Sequence, residues 1–300
     1  MVRKLISNQG IHRLSSIWMV FWIIFLLILP LGILCGLLFR SSAITGSHTF
    51  FQLITGTVWK PTQQEFGFLP FILSSLYVTL IALVFAGPLC LFSAIHICFY
   101  AKSMMLRVIQ PVIDILAGIP SVVYGVWGIL AIVPLVSRVA KHGFHTPSTG
   151  YTLLSGGIVL GVMIIPFVLN ILIDLFRSVP KELHEASLSL GAGKWYTIKR
   201  VVLKKAMPGI ISAMGLGLSR AFGETMAVLM VVGNVAQIPR GIFDPGYPLP
   251  ALIANNYGEM MSIPQYDAAL LFAALLLLIL VIFFNFASRL LIMRYEKSSR

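Results

Sequence analysis

The chain has 300 residues, 58% of them hydrophobic and 11% charged, with a formal net charge of +12 from 22 Lys and Arg against 10 Asp and Glu. Soluble domains hold roughly 45–50% apolar and 25% charged residues, so this composition excludes an ordinary water-soluble globule. The basic surplus would suit nucleic acid in a soluble protein, but here Lys and Arg fall between apolar runs, where they read as membrane topology and not as a nucleic-acid surface.

The first uncharged run covers 14–39, roughly 35 Å or more as a helix and longer than the core of a signal peptide. Further spans are predicted at 71–99, 109–136, 152–176, 208–232 and 268–292. The fold class is therefore all-α: a polytopic membrane protein with six transmembrane helices, read as one domain over 1–300. Pro88, Pro120, Pro134 and Pro166 are expected to interrupt spans, which membrane helices tolerate where neighbours satisfy the freed backbone. Cys35, Cys90 and Cys98 lie in apolar segments without metal-ligand spacing and are expected to be small buried hydrophobes. His142 and His145 share a loop without further ligands, so neither metal nor cofactor is predicted.

With the N-terminus inside, most Lys and Arg, including Arg3, Lys4, Arg107, Arg177, Lys204, Lys205 and Arg294, face the cytoplasm. Arg40, Lys60, Arg138, Lys141 and Arg240 fall outside. This asymmetry predicts an inner (cytoplasmic) membrane protein with both termini cytoplasmic.

The longest inside loop, 177–207, carries the punctuation of a short helix. Pro180 suits its start, Glu182 and Glu185 its first turns, and Gly191 the position after its end. Leu183, Ala186, Ser187 and Leu190 form one stripe, too short to span a membrane. From pattern alone, this helix suits docking of another protein and resting on lipid equally well. Gly193-Lys194 is not a phosphate-binding loop, because Leu188 replaces its first Gly and Trp195 its Ser or Thr. Ser219 lies inside an apolar helical run, which disfavours a hydrolase nucleophile.

Glu185-Ala186-Ser187, Gly191 and the later Val201-x-Leu203 resemble the cytoplasmic loop of permease subunits of ATP-binding-cassette importers, with Ser187 in place of Ala and Lys204 in place of Pro. The resemblance implies a type I importer architecture and a coupling helix, with Glu185, Ala186, Ser187 and Gly191 meeting an ATPase. The stretches 116–125 (LAGIPSVVYG) and 219–228 (SRAFGETMAV), with Gly233-Asn234 and Trp59-Lys60-Pro61, resemble phosphate-importer permeases, and the PstC class more than PstA. That likeness implies no enzymatic activity in this chain. Its implied partners are a PstA-like second permease, PstB-like ATPase subunits, a PstS-like extracytoplasmic phosphate-binding protein and membrane lipid. The segment 237–264 is a candidate contact for the binding protein, chosen for its location and length.

Asp174 and Asp114 lie near span edges: Asp174 reads as a solvated or locally paired interface residue, and for Asp114 structural pairing and a pathway role both stay open. Arg220 and Glu224 fall within the predicted fifth span, where charge is costly and faces a bundle interior or water. On a helical wheel of about 100° per residue they share the face of Ala213, Gly217 and Ala221, opposite Ile211, Leu218, Phe222 and Leu229. Two readings stay open for them: an i, i+4 ion pair, or a pathway site in which Arg220 offers its fork to a tetrahedral oxyanion. Molybdate or sulfate would fit such a site as phosphate does. A secondary carrier or channel would also need six spans and buried charge, but has no use for a docking helix.

Overall fold

The computed structural model describes residues 2–259 and 265–298 and is almost entirely helical. In chain order the helices are α1 (Val2–Thr45), α2 (Phe50–Thr55), α3 (Leu69–Phe99), α4 (Ser103–Gly118), α5 (Ser121–Trp127), α6 (Val133–Gly143), α7 (Leu153–Ser178), α8 (Lys181–Ser189), α9 (Lys194–Thr197), α10 (Leu203–Phe222), α11 (Met226–Leu229), α12 (Leu249–Asn256) and α13 (Tyr266–Ser298). Two short strands, β1 (Trp59–Lys60) and β2 (Glu65–Phe66), pair antiparallel and add a small hairpin. Among the described residues six stretches are long and apolar enough to cross a membrane: Ser15–Thr45, Leu69–Phe99, Ser121–Gly143, Leu153–Ser178, Lys194–Phe222 and Tyr266–Tyr295.

Two of these depart from the spans expected from sequence. The run 109–136 is not one helix, because the Pro120 ring disfavours helical backbone at the residue before it. Ile119 accordingly has ψ 128°, α4 ends there, and α5 starts afresh. The stretch of crossing length is Ser121–Gly143, in which α5 passes through the π-helical turn Gly128–Ile132 into α6. Pro134 then sits in the first turn of α6, where a missing amide hydrogen is cheapest. The fifth stretch starts and ends earlier than 208–232: α9 continues through the π-helical turn Ile198–Val202 into α10, and Gly223 closes it.

Pro88 and Pro166, expected to interrupt, lie inside continuous helices. Cys35 is exposed, against the expectation of burial, while Cys90 is buried. The reason is that α1 turns most of its apolar surface outward and meets α13 mainly near Leu34, Leu37 and Ile44.

The core is built on α3 and α7, which run parallel. The Cys90 thiol donates to the Ile165 carbonyl at 3.6 Å and the Cys98 thiol to the Ile173 carbonyl at 3.8 Å, each across 75 residues of sequence. A constant offset over two turns means one fixed register. On α3 the buried residues Ala82, Ala86, Cys90 and Ala94 recur every fourth position, a stripe of small side chains. Gly157 and Gly161 approach α3 from α7, and a Cβ added at Gly161 would lie 2.8 Å from Phe85 Cδ1 and 3.2 Å from the Ala82 carbonyl oxygen. Lipid tails are as apolar as Leu, so such helices are held by close van der Waals contact between backbones, which small residues permit.

α10 lies antiparallel on α7, Gly209 meeting Leu175 and Gly217 meeting Val168. α13 lies antiparallel on α10, with Ser219 Oγ donating to Asn285 Oδ1 at 2.9 Å and Phe222 stacked on Phe284 at 5.0 Å. The bulky face of the fifth span, expected to meet lipid, is therefore partly enclosed: Leu218 and Phe222 are buried, Phe222 because α13 covers it.

Gly161→Val should lower stability by about 1–3 kcal/mol, the range for overpacking a tight interface. Gly36→Ala, in α1 where an added Cβ meets nothing within 4 Å, should lower it not at all. Thermal unfolding of the purified chain in detergent checks both, and equal midpoints for the two variants would refute the tight α3–α7 contact.

Candidate functional site at a helix break

The chain leaves α10 at Phe222 and re-enters helix only at Met226. Gly223 N donates to the Arg220 carbonyl at 3.2 Å and Glu224 N to the Ala221 carbonyl at 3.3 Å, which tightens the end of α10. Arg220 and Glu224 are thus not an i, i+4 pair on one helix, because the helix expected to carry both stops between them. Arg220 sits in the last turn of α10, where a cation complements the negative end of the helix dipole. Glu224 precedes α11, and its Oε1 accepts from Ala227 N at 3.2 Å, a carboxylate at a positive helix end. Among the described residues no ion pair joins the two.

The Arg220 guanidinium carbon lies 4.8 Å from the centroid of the Phe167 ring on α7, a cation–π contact that leaves the side chain exposed in the isolated chain. Counting from Lys205, Arg220 is roughly 22 Å along the helix, a distance shorter than the about 30 Å thickness of a hydrocarbon core. Glu224 is half-buried and lines a water-sized cavity of about 10 Å³ with Ser75, Thr79 and Phe222. Sequence reasoning passed over Phe167, Ser75 and Thr79; the signal for the last two was their polarity within the otherwise apolar α3.

The two stretches that suggested a phosphate-importer permease meet in space. α5 packs on α11: Gly125 faces the Met230 side chain, and Gly128 faces Val159 and Val231. The Tyr124 hydroxyl donates to the Leu116 carbonyl at 2.8 Å, tying α5 back to α4 across the Pro120 break. Beyond α11 the chain is pinned to α3, Ser74 Oγ accepting from Tyr247 N at 3.1 Å and Ser75 Oγ from Leu249 N at 2.8 Å. Within the candidate contact 237–264, Gln237, Ile238 and Arg240 are exposed, Tyr247 and Leu249 are buried, and 260–264 lie outside the described residues.

The helix expected at 180–190 is α8, about 14 Å long. Ser187 Oγ is 2.9 Å from Thr197 Oγ1, His184 stacks on Phe99 with centroids 5.9 Å apart, and Lys194 Nζ lies 4.6 Å from the Tyr100 ring centroid. These contacts hold α8 against the ends of α3 and the fifth span. Glu185, Ala186 and Gly191 are exposed, and Leu190 is 89% exposed, whereas Ser187 is half-buried and turned toward Thr197. Gly191 has φ 81°, a left-handed conformation that glycine adopts without a Cβ penalty, and its N–H closes α8 on the Leu188 carbonyl.

The family described as binding-protein-dependent transport system inner membrane component matches residues 86–297. The chain belongs to this family. This permease is 38% identical over 251 residues to the probable ABC transporter permease protein YqgH of Bacillus subtilis (strain 168), covering 83% of this chain and 78% of the relative. It is 33% identical over 292 residues to the phosphate transport system permease protein PstC of Pasteurella multocida (strain Pm70), covering 92% and 90%. Among solved structures, the inward-facing MetNI methionine ABC transporter superposes with a TM-score of 0.59 at 20% identity, over 79% of this chain and 99% of that one, a likeness in fold. The matched region takes in α8 and both sides of the helix break, while α1 lies outside it. As an ABC importer permease, the chain is a transport subunit that works with an ATPase and a substrate-binding protein.

Because Arg220 and Glu224 each serve a different helix end, Arg220→Gln and Glu224→Gln should be additive in stability within about 0.5 kcal/mol, as for uncoupled sites. Thermal unfolding of the single and double variants measures this. Rescue of one neutralising change by the other would restore the ion-pair reading.

Proposed function

We propose that this permease forms half of the translocation pathway of an ATP-driven importer for inorganic phosphate. The observation that carries the reading is Arg220: a guanidinium at membrane depth, at a helix break, with no carboxylate paired to it among the described residues. Charge so placed is expensive and characteristically marks a pathway. The planar fork of Arg suits a tetrahedral oxyanion stripped of water better than a point charge does. The 33% identity to a protein named as a phosphate transport system permease supports phosphate over molybdate or sulfate. Glu224 cannot attract an anion when ionised. Its hydrogen bond to Ala227 N instead supports a role in fixing the shape of the break, and hence in gating it.

In this proposal both termini and α8 face the cytoplasm, because Lys194, Lys199, Arg200, Lys204 and Lys205 cluster at that end of the fifth span. Glu185, Ala186 and Gly191, with exposed Leu190, form the surface that meets a PstB-like ATPase. A PstA-like permease supplies the other half of the pathway, and a PstS-like protein delivers phosphate near exposed Gln237, Ile238 and Arg240. A secondary carrier would leave α8, with its exposed Leu190, without a role.

Arg220→Gln should cut phosphate uptake by the reconstituted complex about 10- to 100-fold, the scale of a lost charge-assisted hydrogen bond at about 1.5–3 kcal/mol, without lowering complex yield. Arg220→Lys should fall between. Normal uptake by a well-assembled Arg220→Gln complex would exclude the pathway role, and uptake of molybdate or sulfate in preference to phosphate would reassign the substrate. At the docking surface, Leu190→Asp should leave membrane insertion intact, since that side chain packs on almost nothing within the chain. It should separate ATP hydrolysis from transport; wild-type substrate-stimulated hydrolysis together with wild-type uptake would disprove docking there.

A further inference from the structure

Behind α8, between it and the ends of the membrane helices, lies a cavity of about 540 Å³, within the range of small-molecule sites and far larger than one water. Its charge is lopsided. Arg177, Lys181 and Lys194 line it together with His184, against the single carboxylate of Glu185. Among the described residues none of these three cations is held in an ion pair. Nε2 of His184 is shielded from solvent and has no hydrogen-bond partner, while its ring is fixed by stacking on Phe99.

The opening of the cavity adds donors of the same kind. Pro180 caps α8 without a side-chain hydrogen bond, so the Lys181 and Glu182 amides lack intrahelical partners, while Leu183 N donates to the Pro180 carbonyl at 3.3 Å. Cys98, Phe176 and Val202 supply an apolar wall. A dry wall strengthens the field of the cations in front of it.

We propose that this cavity is an oxyanion site for a phosphate group, separate from the helix break at Arg220. The group is held by Arg177, Lys181 and Lys194. Two sources carry the same chemistry: inorganic phosphate, or the headgroup phosphate of an anionic lipid, for which basic cavities between membrane helices are fitted. Either would sit behind α8 and bridge Lys181 on that helix to Arg177 and Lys194 on its neighbours, so occupancy stiffens the position of α8.

The test uses the full-length chain carrying Arg220→Gln, which removes the pathway cation, purified in neutral detergent. Equilibrium dialysis with labelled inorganic phosphate forms one arm. The other measures retention of phosphatidylglycerol against phosphatidylcholine after reconstitution in mixed nanodiscs. Lys181→Gln with Lys194→Gln should weaken one of these at least tenfold, and Lys194→Arg should restore most of the loss in a chain where Lys181 is kept. Loss in the first arm assigns a free anion and loss in the second a lipid headgroup. If the double variant unfolds, Lys194→Gln alone is read, since Lys194 is exposed and its replacement leaves Tyr100 without a packing hole; a threefold or greater loss is then expected. Unchanged phosphate binding and unchanged phosphatidylglycerol retention in folded variants would overturn the site. Loss of transport in Arg220→Gln bears only on the pathway reading and leaves this result intact.

Discussion

The close parallel contact of α3 and α7 is the constraint on which the rest of the molecule depends. In a bilayer no hydrophobic force separates protein from solvent, so two helices stay together only when their backbones come near enough for dense van der Waals contact. The stripe Ala82, Ala86, Cys90 and Ala94 and the pair Gly157 and Gly161 allow that approach. Once α7 is fixed, its other faces receive α10 through Gly209 and Gly217 and the π-helical turn after α5 through Gly128. The Ser74 and Ser75 hydroxyls of α3 then take the backbone of the segment after α11. The helix break is therefore framed by elements whose positions follow from one pair.

The break itself is an electrostatic arrangement. A helix that stops in a bilayer leaves carbonyls at one end and amides at the other. Arg220 stands at the negative end of α10 and Glu224 at the positive start of α11, so each charge answers a backbone dipole and not the other side chain. That division leaves the guanidinium fork facing outward from this chain.

Much of this was legible in the sequence. Apolar runs of spanning length gave six crossings, and Pro180, Glu182, Glu185 and Gly191 marked α8 to within a residue. Arg220 stood out because charge inside an apolar run is rare. What pattern reading lost was local backbone detail. Hydropathy does not register where a helix stops, so Gly223 ended α10 unseen and the wheel drawn through Glu224 had no helix beneath it. Proline was read evenly, yet Pro120 breaks the chain while Pro88 and Pro166 are absorbed by continuous helices packed on one another. The polar character of Ser75 and Thr79 was visible, but only tertiary contact ties it to Glu224.

Parallel neighbours cannot be consecutive crossings, so the chain must go back across the bilayer between α3 and α7, and Ser121–Gly143 makes that return. At the usual synthesis rate of about 5–20 residues per second, Gly161 emerges roughly 4–15 s after Ala82. Throughout that interval the small-residue stripe of α3 lacks its α7 partner, which uncharged side chains tolerate in lipid. The guanidinium of Arg220 is made later still, after Phe167 and after the glycines that α5 turns toward α11. The order of the chain thus delivers this lipid-averse group only after the Phe167 ring that receives it.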